Sequence, residues 1–305
     1  MKIRYLKHKE IDIKKWNISI ARSVNEIVYA NSWYLDIVSE NWDALVEGDY
    51  ESVMPLTHKK KYGIQYLAQP DYTQQLGVFS SKKIDAVLVE KFLRAIPKKY
   101  KIVQIKLNTI NKIESDIFDL KPNANFHLDL IEPYEILQKK YSKNTKRNLN
   151  QAKKHGIYLS KGITTNELVK LFVENVGDTL IGMKKSQYDI LRRLIAFFLK
   201  NNLGKIYAAY DSSNTLCGAV FFILAKKKIT SLITVSSPEG KKNKSVFLIF
   251  DHIIKLYSEK HMTLDFEGSN IPGIARFNKG FGATACEYMG VNINRLPWIL
   301  RIFKK

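Results

Sequence analysis

Leu264-Asp265-Phe266-Glu267-Gly268-Ser269-Asn270-Ile271-Pro272-Gly273, running on through Ile274-Ala275-Arg276-Phe277-Asn278-Lys279-Gly280-Phe281-Gly282-Ala283, is the most informative stretch of this 305-residue chain. Residues 262–266 read as a strand, and alternation places Asp265 and Glu267 on one face with Leu264 and Phe266 on the other. Gly268 allows a sharp turn at the strand end. Ser269 or Asn270 suits a helix N-cap and Pro272 the first helical turn, so a helix starts near Pro272. A carboxylate at a strand end beside a cleft can take a proton from an amine nucleophile, directly or through a water. Glu267 and Asp265 are therefore the candidate catalytic acids. The plainer alternative is that one of them pairs with Arg276 or Lys279 and only holds the turn.

Working upstream, a helix from Lys244 to Glu259 carries Val246, Ile249, Phe250, Ile253, Ile254 and Tyr257 at helical spacing. It follows a strand at Ile229–Val235 and a loop over 236–243. A strand-loop-helix join presents free backbone N–H groups and a partial positive charge. Gly240, Lys241, Lys242, Asn243, Lys244 and Ser245 are thus candidate ligands for the phosphates of a donor. Further upstream, Lys205–Tyr210 and Leu216–Leu224 form a hairpin, preceded by helices near 142–155, 165–176 and 186–200. The first half shows the same order: a helix over 23–38, a hairpin from Ala44 to Leu56, a strand at 63–68, a loop through Gln69-Pro70-Asp71, a helix over 81–96 and a strand at 101–107. The repeated order implies two lobes, residues 1–125 and 126–305, with a boundary near Pro122–His127.

Charge narrows the partners. The formal net charge is +20, which points to polyanions: tRNA, the phosphates of a nucleotide cofactor, or an anionic lipid head group. From Ile136 to Asn166 there is no acid, while Lys143, Lys146, Arg147, Lys153 and Lys154 crowd one predicted helix. Such a stripe can follow a phosphate backbone without reading sequence. Two cysteines, Cys217 and Cys286, fit neither a disulfide framework nor a zinc pattern. Six histidines show no metal-like spacing, and no Cys-His or Ser-His-Asp arrangement is visible. No metal is expected. No apolar run is long enough for a signal peptide or a membrane span, so the expected location is the cytoplasm.

LDFEGSNIPGIARFNKGFGA (264–283) followed by YMGVNINRLP (288–297) resembles the C-terminal signature of Fem-type and related double-GNAT acyltransferases. YSKNTKRNLNQAKKHGI (141–157) is similar to the basic helix that opens the second lobe there, and YLAQPDYTQQLGVF (66–79) resembles the first-lobe segment that helps form the substrate cleft. The resemblance spans nearly the whole chain. It implies an α/β (α+β) fold of two GNAT-like lobes, each a mixed, mostly antiparallel sheet flanked by helices. It implies transfer of an acyl or aminoacyl group from acyl-CoA or aminoacyl-tRNA to a small-molecule or peptide amine held between the lobes, with no covalently bound cofactor. An anionic membrane surface or a lipid-linked precursor is a further partner of that kind. Gln69, Tyr72, Gln74, Gln75, Ser269, Arg276 and Lys279 are the substrate-binding candidates it singles out. The chain departs from the pattern in three ways. The segment 240–245 lacks the second glycine of the usual pyrophosphate loop. Asn278 stands where Fem-type helices carry a lysine, which comes one place later as Lys279. No tyrosine lies between Arg276 and Ala285 to serve as an acid for the leaving group. The alternative to an enzyme is a catalytically silent double-GNAT module that binds RNA or an anionic lipid.

Overall fold

The lysine-rich amino terminus folds. Ile3–Leu6 forms β1 and Ile13–Arg22 forms α1, whose start is capped by Asp12 accepting from the Lys15 N–H at 3.0 Å. Trp16 and Ile20, one turn apart, bury the inner face of α1. The helix expected over 23–38 is correspondingly shorter. Val24 is 61% exposed, and only Ser32–Val38 is α-helical, as α2. The structure, a computed structural model, describes residues 2–114, 116–177, 183–268 and 270–297.

Beyond α2 the chain forms β2 (Trp42–Glu47), β3 (Ser52–Lys61), β4 (Ile64–Ala68), the short β5 (Phe79–Ser80), α3 (Ala86–Arg94) and β6 (Ile102–Lys106). β7 (Asp119–Asp129) then leads into α4 (Tyr134–Lys139), α5 (Lys143–Lys154), β8 (Tyr158–Ser160), α6 (Thr165–Phe172) and α7 (Lys185–Lys200). There follow β9 (Gly204–Tyr210), β10 (Leu216–Leu224), β11 (Lys228–Ser236), α8 (Pro238–Asn243), α9 (Ser245–Tyr257), β12 (Thr263–Asp265), α10 (Pro272–Gly280) and β13 (Thr284–Asn294). Contacts divide the chain into two units: Met1–Asn123 with the segment from Glu287 onward, and Ala124–Cys286. The division falls inside β7, and the chain re-enters the first unit through β13.

In the first unit the strands run β1-β2-β3-β4-β6-β13, with β5 on β3. All neighbours are antiparallel except β4 and β6. Sequence order groups residues 287–305 with the second lobe, but Gly290–Asn294 pairs with Lys106–Ile102 of β6. A core of Leu45, Leu56, Leu67, Phe92, Tyr100 and Val103 lies between this sheet and α3.

In the second unit the order is β7-β12-β11-β10-β9-β8. β10 is covered on both faces, and its interior, Cys217–Ile223, is buried throughout. That is why it reads as an unbroken apolar run with no alternation. On one face α9 brings Ile249, Phe250, Ile253 and Ile254 against Tyr207, Phe222, Leu264 and Phe266. On the other, Phe198 of α7 meets Phe221 edge to face at 6.0 Å. α5 begins at Ser142, whose hydroxyl accepts from the Thr145 N–H at 3.1 Å.

Candidate functional site

β11 and β12 are the parallel pair of the second unit, matched only at Lys228–Thr263, Ile229–Leu264 and Thr230–Asp265. Beyond Thr230 no strand pairs with that edge of β11 among the described residues. At the same point β11 is irregular on its other side. Phe221 of β10 faces Ile233 while Phe222 faces Ser231, which leaves Leu232 as an extra residue, a β-bulge. A bulge sharpens the local twist and re-aims the backbone groups around it. β12 ends as a strand at Asp265 while β11 runs on to Ser236, and a cavity of about 540 Å³ opens beside this unpaired edge.

Five segments wall the cavity. β11 contributes Ser231, Leu232, Thr234, Val235 and Ser236, and α9 contributes Val246, Phe247 and Phe250. Phe266, Glu267 and Gly268 follow from the end of β12, and Gly273, Ile274, Phe277 and Asn278 from α10. Gly240, Lys241 and Lys244 complete the lining. The apolar side is rigid: Phe250 stacks on Phe266 at 5.1 Å and meets Phe277 edge to face at 5.2 Å. A mostly apolar cleft with a few polar groups is the usual form of a small-molecule site.

The segment 236–243, expected as a loop, is instead mostly the one-and-a-half-turn helix α8. Lys244, with φ +64°, links it to α9. Gly240 serves packing: a Cβ there would lie 1.7 Å from the carbonyl oxygen of Cys217 on β10. Asn243 and Ser245 turn inward and are buried. The Asn243 amide donates to Cys217 Sγ at 3.2 Å, and its oxygen accepts from the Ser245 N–H at 3.1 Å. Ser245 Oγ donates to the Gly240 carbonyl at 3.3 Å. Lys242 lies 4.0 Å from Glu239 on the surface and is not a lining residue. Of the six residues read as donor ligands, Gly240, Lys241 and Lys244 reach the cavity.

The two candidate acids part company. Asp265 is buried, facing away from the cavity. Its Oδ2 lies 3.2 Å from His127 Nε2 and 3.2 Å from Lys228 Nζ, and its Oδ1 accepts from the Glu267 N–H at 2.9 Å. Burial alone would raise its pKa, but the His127 hydrogen bond and the Lys228 charge outweigh it and bring the carboxyl down to about 2. Glu267 takes φ +55°, a left-handed conformation rare for a side chain with a Cβ, and this turns it onto the cavity wall. Gly268 follows because the chain there runs against β7, where a Cβ would come within 1.6 Å of the Ala124 carbonyl. Asn278 donates to the Glu267 carbonyl at 3.4 Å and fixes the turn from α10. Asp265's ionic partners are thus His127 and Lys228, neither of which the sequence reading considered, and not Arg276 or Lys279. Arg276 and Lys279 are exposed and do not line the cavity, although Lys279 Nζ lies 5.9 Å over the Phe126 ring. Ser269 lies outside the described residues.

In the first unit Gln69 donates to the Thr73 carbonyl at 2.9 Å and accepts from the Lys106 N–H at 2.9 Å. Gln75 is buried, accepts from the Thr109 N–H at 3.1 Å and donates to Gln74 Oε1 at 2.7 Å. Tyr72 has φ +56°, and its carbonyl accepts the Tyr34 hydroxyl. These amides shape the loop that carries them. On α5 and at its C-cap, Lys143, Lys146, Arg147, Lys154 and His155 line an open concavity, which Lys153 does not join. Gln151 donates to the Lys242 carbonyl at 3.1 Å, so the basic helix abuts the turn bearing Lys241 and Lys244. Among the described residues no group of His, Cys, Asp and Glu is arranged to hold a metal, and no helix is long and apolar enough to cross a membrane.

No family model matches the chain and no curated protein matches its sequence. Solved structures match its fold over almost the whole length. FemX superposes with a TM-score of 0.62 at 11% identity, covering 95% of this chain and 97% of that one. A conserved protein of unknown function from Bacteroides thetaiotaomicron gives 0.59 at 10% identity, with 95% and 99% covered. A tandem GNAT protein from the clavulanic acid biosynthesis pathway gives 0.52 at 9% identity, with 97% and 99% covered. The chain therefore has the tandem GNAT, FemAB-like fold that its C-terminal segment implied: mixed α/β, with mostly antiparallel sheet flanked by helices.

Proposed function

We propose that this protein is an N-acyltransferase. It takes an acyl or aminoacyl group from an activated donor, acyl-CoA or aminoacyl-tRNA, and passes it to an amine. The observation that carries this reading is the edge of β11 left unpaired beyond Thr230, at the Leu232 bulge, beside a cavity with Lys241 and Lys244 in its lining. An unpaired strand edge offers backbone N–H groups to an extended ligand. One such N–H, fixed in advance, would polarise the donor carbonyl and hold the oxyanion as the amine adds. Glu267 would take the ammonium proton, directly or through a water, as the C–N bond forms. The bond to the leaving thiolate or ribose oxygen then breaks, and that group takes up a proton. Positioning of the two substrates does the rest, and no covalent enzyme intermediate is required.

Lys241 and Lys244 would hold the donor's phosphates as point charges. The contact between Gln151 and Lys242 supports a larger polyanion as donor, because it joins the basic face of α5 to that turn. The same face favours the second reading, a module that binds RNA and transfers nothing. Thermal unfolding with coenzyme A, acetyl-CoA and bulk aminoacyl-tRNA, each at two salt concentrations, separates these. A ligand at a hundred times its Kd stabilises by about 2.7 kcal/mol. Stabilisation by coenzyme A that survives salt assigns a thioester donor. Stabilisation by aminoacyl-tRNA beyond that by uncharged tRNA assigns the aminoacyl donor. Equal, salt-sensitive stabilisation by both tRNAs, with none from coenzyme A, overturns the transferase reading in favour of RNA binding. Once turnover is found, Glu267→Gln should lower kcat by about 10²–10⁴-fold, and unchanged turnover would remove Glu267 from the mechanism.

A further inference from the structure

His127 of β7 and Asp265 of β12 are directly opposed across an antiparallel pair, so their side chains share a face. That face is the reverse of the one on which Phe126, Leu128, Leu264 and Phe266 join the α9 core. Lys228, two residues before Thr230, whose partner is Asp265, projects to the same face. Cys286, near the start of β13, comes to the other side of the imidazole: its Sγ lies 3.5 Å from His127 Nδ1. The order in space is thiol, imidazole, carboxylate, with Nδ1 toward sulfur and Nε2 toward Asp265 at 3.2 Å. The groups are strung in a line and do not converge, which suits a proton relay and not a metal. No spacing in the sequence points to this cluster, because its members come from three distant strands.

We propose that Cys286, His127 and Asp265 form a second reactive centre, outside the acyl-transfer cleft, in which Cys286 is a nucleophilic thiol that exchanges with low-molecular-weight disulfides.

Asp265 orients the ring. A carboxylate 3.2 Å from Nε2 favours the tautomer that carries its proton there. Asn125 Nδ2 also approaches Nε2, at 3.1 Å, and would donate to the opposite tautomer. A charged acceptor outcompetes a neutral donor for that nitrogen. Nδ1 is then the basic nitrogen, and it faces the sulfur. Transfer of the Sγ proton to Nδ1 yields a thiolate beside an imidazolium. The charged neighbour favours it: the Asp265 carboxylate lies 3.2 Å from Nε2 and stabilises the imidazolium that forms. Cys286 is half-buried and not disulfide-bonded, whereas Cys217 is fully buried. In the exchange the Cys286 thiolate attacks one sulfur of the disulfide, a new S–S bond forms as the old one breaks, and the released thiolate takes the imidazolium proton. The products are one mixed disulfide and one free thiol, with no further oxidant.

The test is the rate of reaction with the aromatic disulfide 5,5′-dithiobis(2-nitrobenzoate) from pH 5 to 9, followed by release of the coloured thiolate. An ordinary thiol, with a pKa of about 8.5, is only about 0.3% thiolate at pH 6. An ion-paired thiol of pKa about 7 has about thirtyfold more thiolate, offset about fivefold by its lower nucleophilicity. Native protein should therefore show one fast equivalent per chain at pH 6, about five to ten times faster than N-acetylcysteine. Cys286→Ser should abolish that phase, and His127→Gln should return the rate and its pH profile to those of a free thiol. If His127→Gln unfolds, Cys217 will react as well and reveal it, and the native pH profile then decides alone. A native rate at pH 6 no faster than that of N-acetylcysteine overturns the proposal, as does a fast phase that survives Cys286→Ser. Coenzyme A and tRNA binding do not enter this readout, so its failure leaves the acyltransferase reading standing, and the reverse holds.

Discussion

Gly240→Ala separates packing from ligand binding at the turn before α9. A Cβ at this position would sit 1.7 Å from the Cys217 oxygen and 2.7 Å from its carbonyl carbon. Both contacts are with backbone near the start of β10, so no side chain can swing aside. Reaching even 3.0 Å requires α8 and β10 to part by about 1.3 Å. The Cys217 oxygen also accepts from the Ser237 N–H at 2.9 Å and from Ser237 Oγ at 3.1 Å, and the displacement strains both bonds. Overpacking costs about 1–3 kcal/mol and each of the two weakened hydrogen bonds about 1 kcal/mol, so the expected loss is about 3–5 kcal/mol. In thermal unfolding followed by circular dichroism, without ligand, this lowers Tm by about 5–15 °C. Gly273→Ala is the control, since a Cβ there meets nothing within 4 Å and the residue lies in a helix. If Gly240 served only to admit a phosphate, Gly240→Ala would melt like wild type and fail only in ligand binding. A ligand-free stability within about 0.5 kcal/mol of wild type, the ordinary range for a neutral surface change, would refute the packing argument.

Two further outcomes follow from charge. Asp265 has its folded-state pKa depressed to about 2, against burial, by His127 and Lys228. Its contribution is therefore fully present above the unfolded pKa of about 4 and is lost as pH falls through 2, about 2 kcal/mol in all. Urea unfolding should show the stability gap between wild type and Asp265→Asn shrinking by that amount from pH 5 to pH 2; a constant gap would mean that the carboxylate is not held by its partners. On α5, changing Lys143, Arg147 and Lys154 together to Gln should weaken tRNA binding and reduce the slope of log K against log salt by about one per charge removed. An unchanged slope, measured by filter binding or fluorescence anisotropy, would take the polyanion off this face.

Elements whose stabilising residues lie close in sequence were legible, and those assembled from afar were not. α9 and α5 announce themselves by apolar period and by Ser142 as a cap, and β9–β10 by two apolar runs around an Asp-Ser-Ser-Asn turn. α1 was hidden because its inner face needs only Trp16 and Ile20, with lysines around them. β7 was hidden for another reason. Its residues 122–125, Pro-Asn-Ala-Asn, have poor strand propensity, and its strand character comes from distant partners, such as Thr263–Asp265 against His127–Asp129. The expected lobe boundary fell on this strand because composition marks a break there.

The same contrast governs the two acids. Strand alternation puts Asp265 and Glu267 on one face only if the strand continues through both. β12 ends at Asp265, and the sign of one backbone angle at Glu267, φ +55°, sends the second acid to the opposite side. That angle is held by partners that alternation does not reveal: Asp265 Oδ1 accepting the Glu267 N–H, Asn278 donating to the Glu267 carbonyl, and β7 pressing on Gly268. A left-handed residue other than glycine costs about 1–3 kcal/mol and persists only where its surroundings over-determine it. Here they do so three times over, at a carboxylate that lines the cleft. The strain is what makes two acids, two residues apart, chemically different: one buried and ion-paired, the other on the wall of a cavity. Glu267→Gly should relieve the strain and stabilise the ligand-free protein while removing the carboxylate, whereas Glu267→Gln keeps the strain and removes only the charge. If both variants melt like wild type, the backbone at Glu267 carries no strain, and its place on the cavity wall would need another cause.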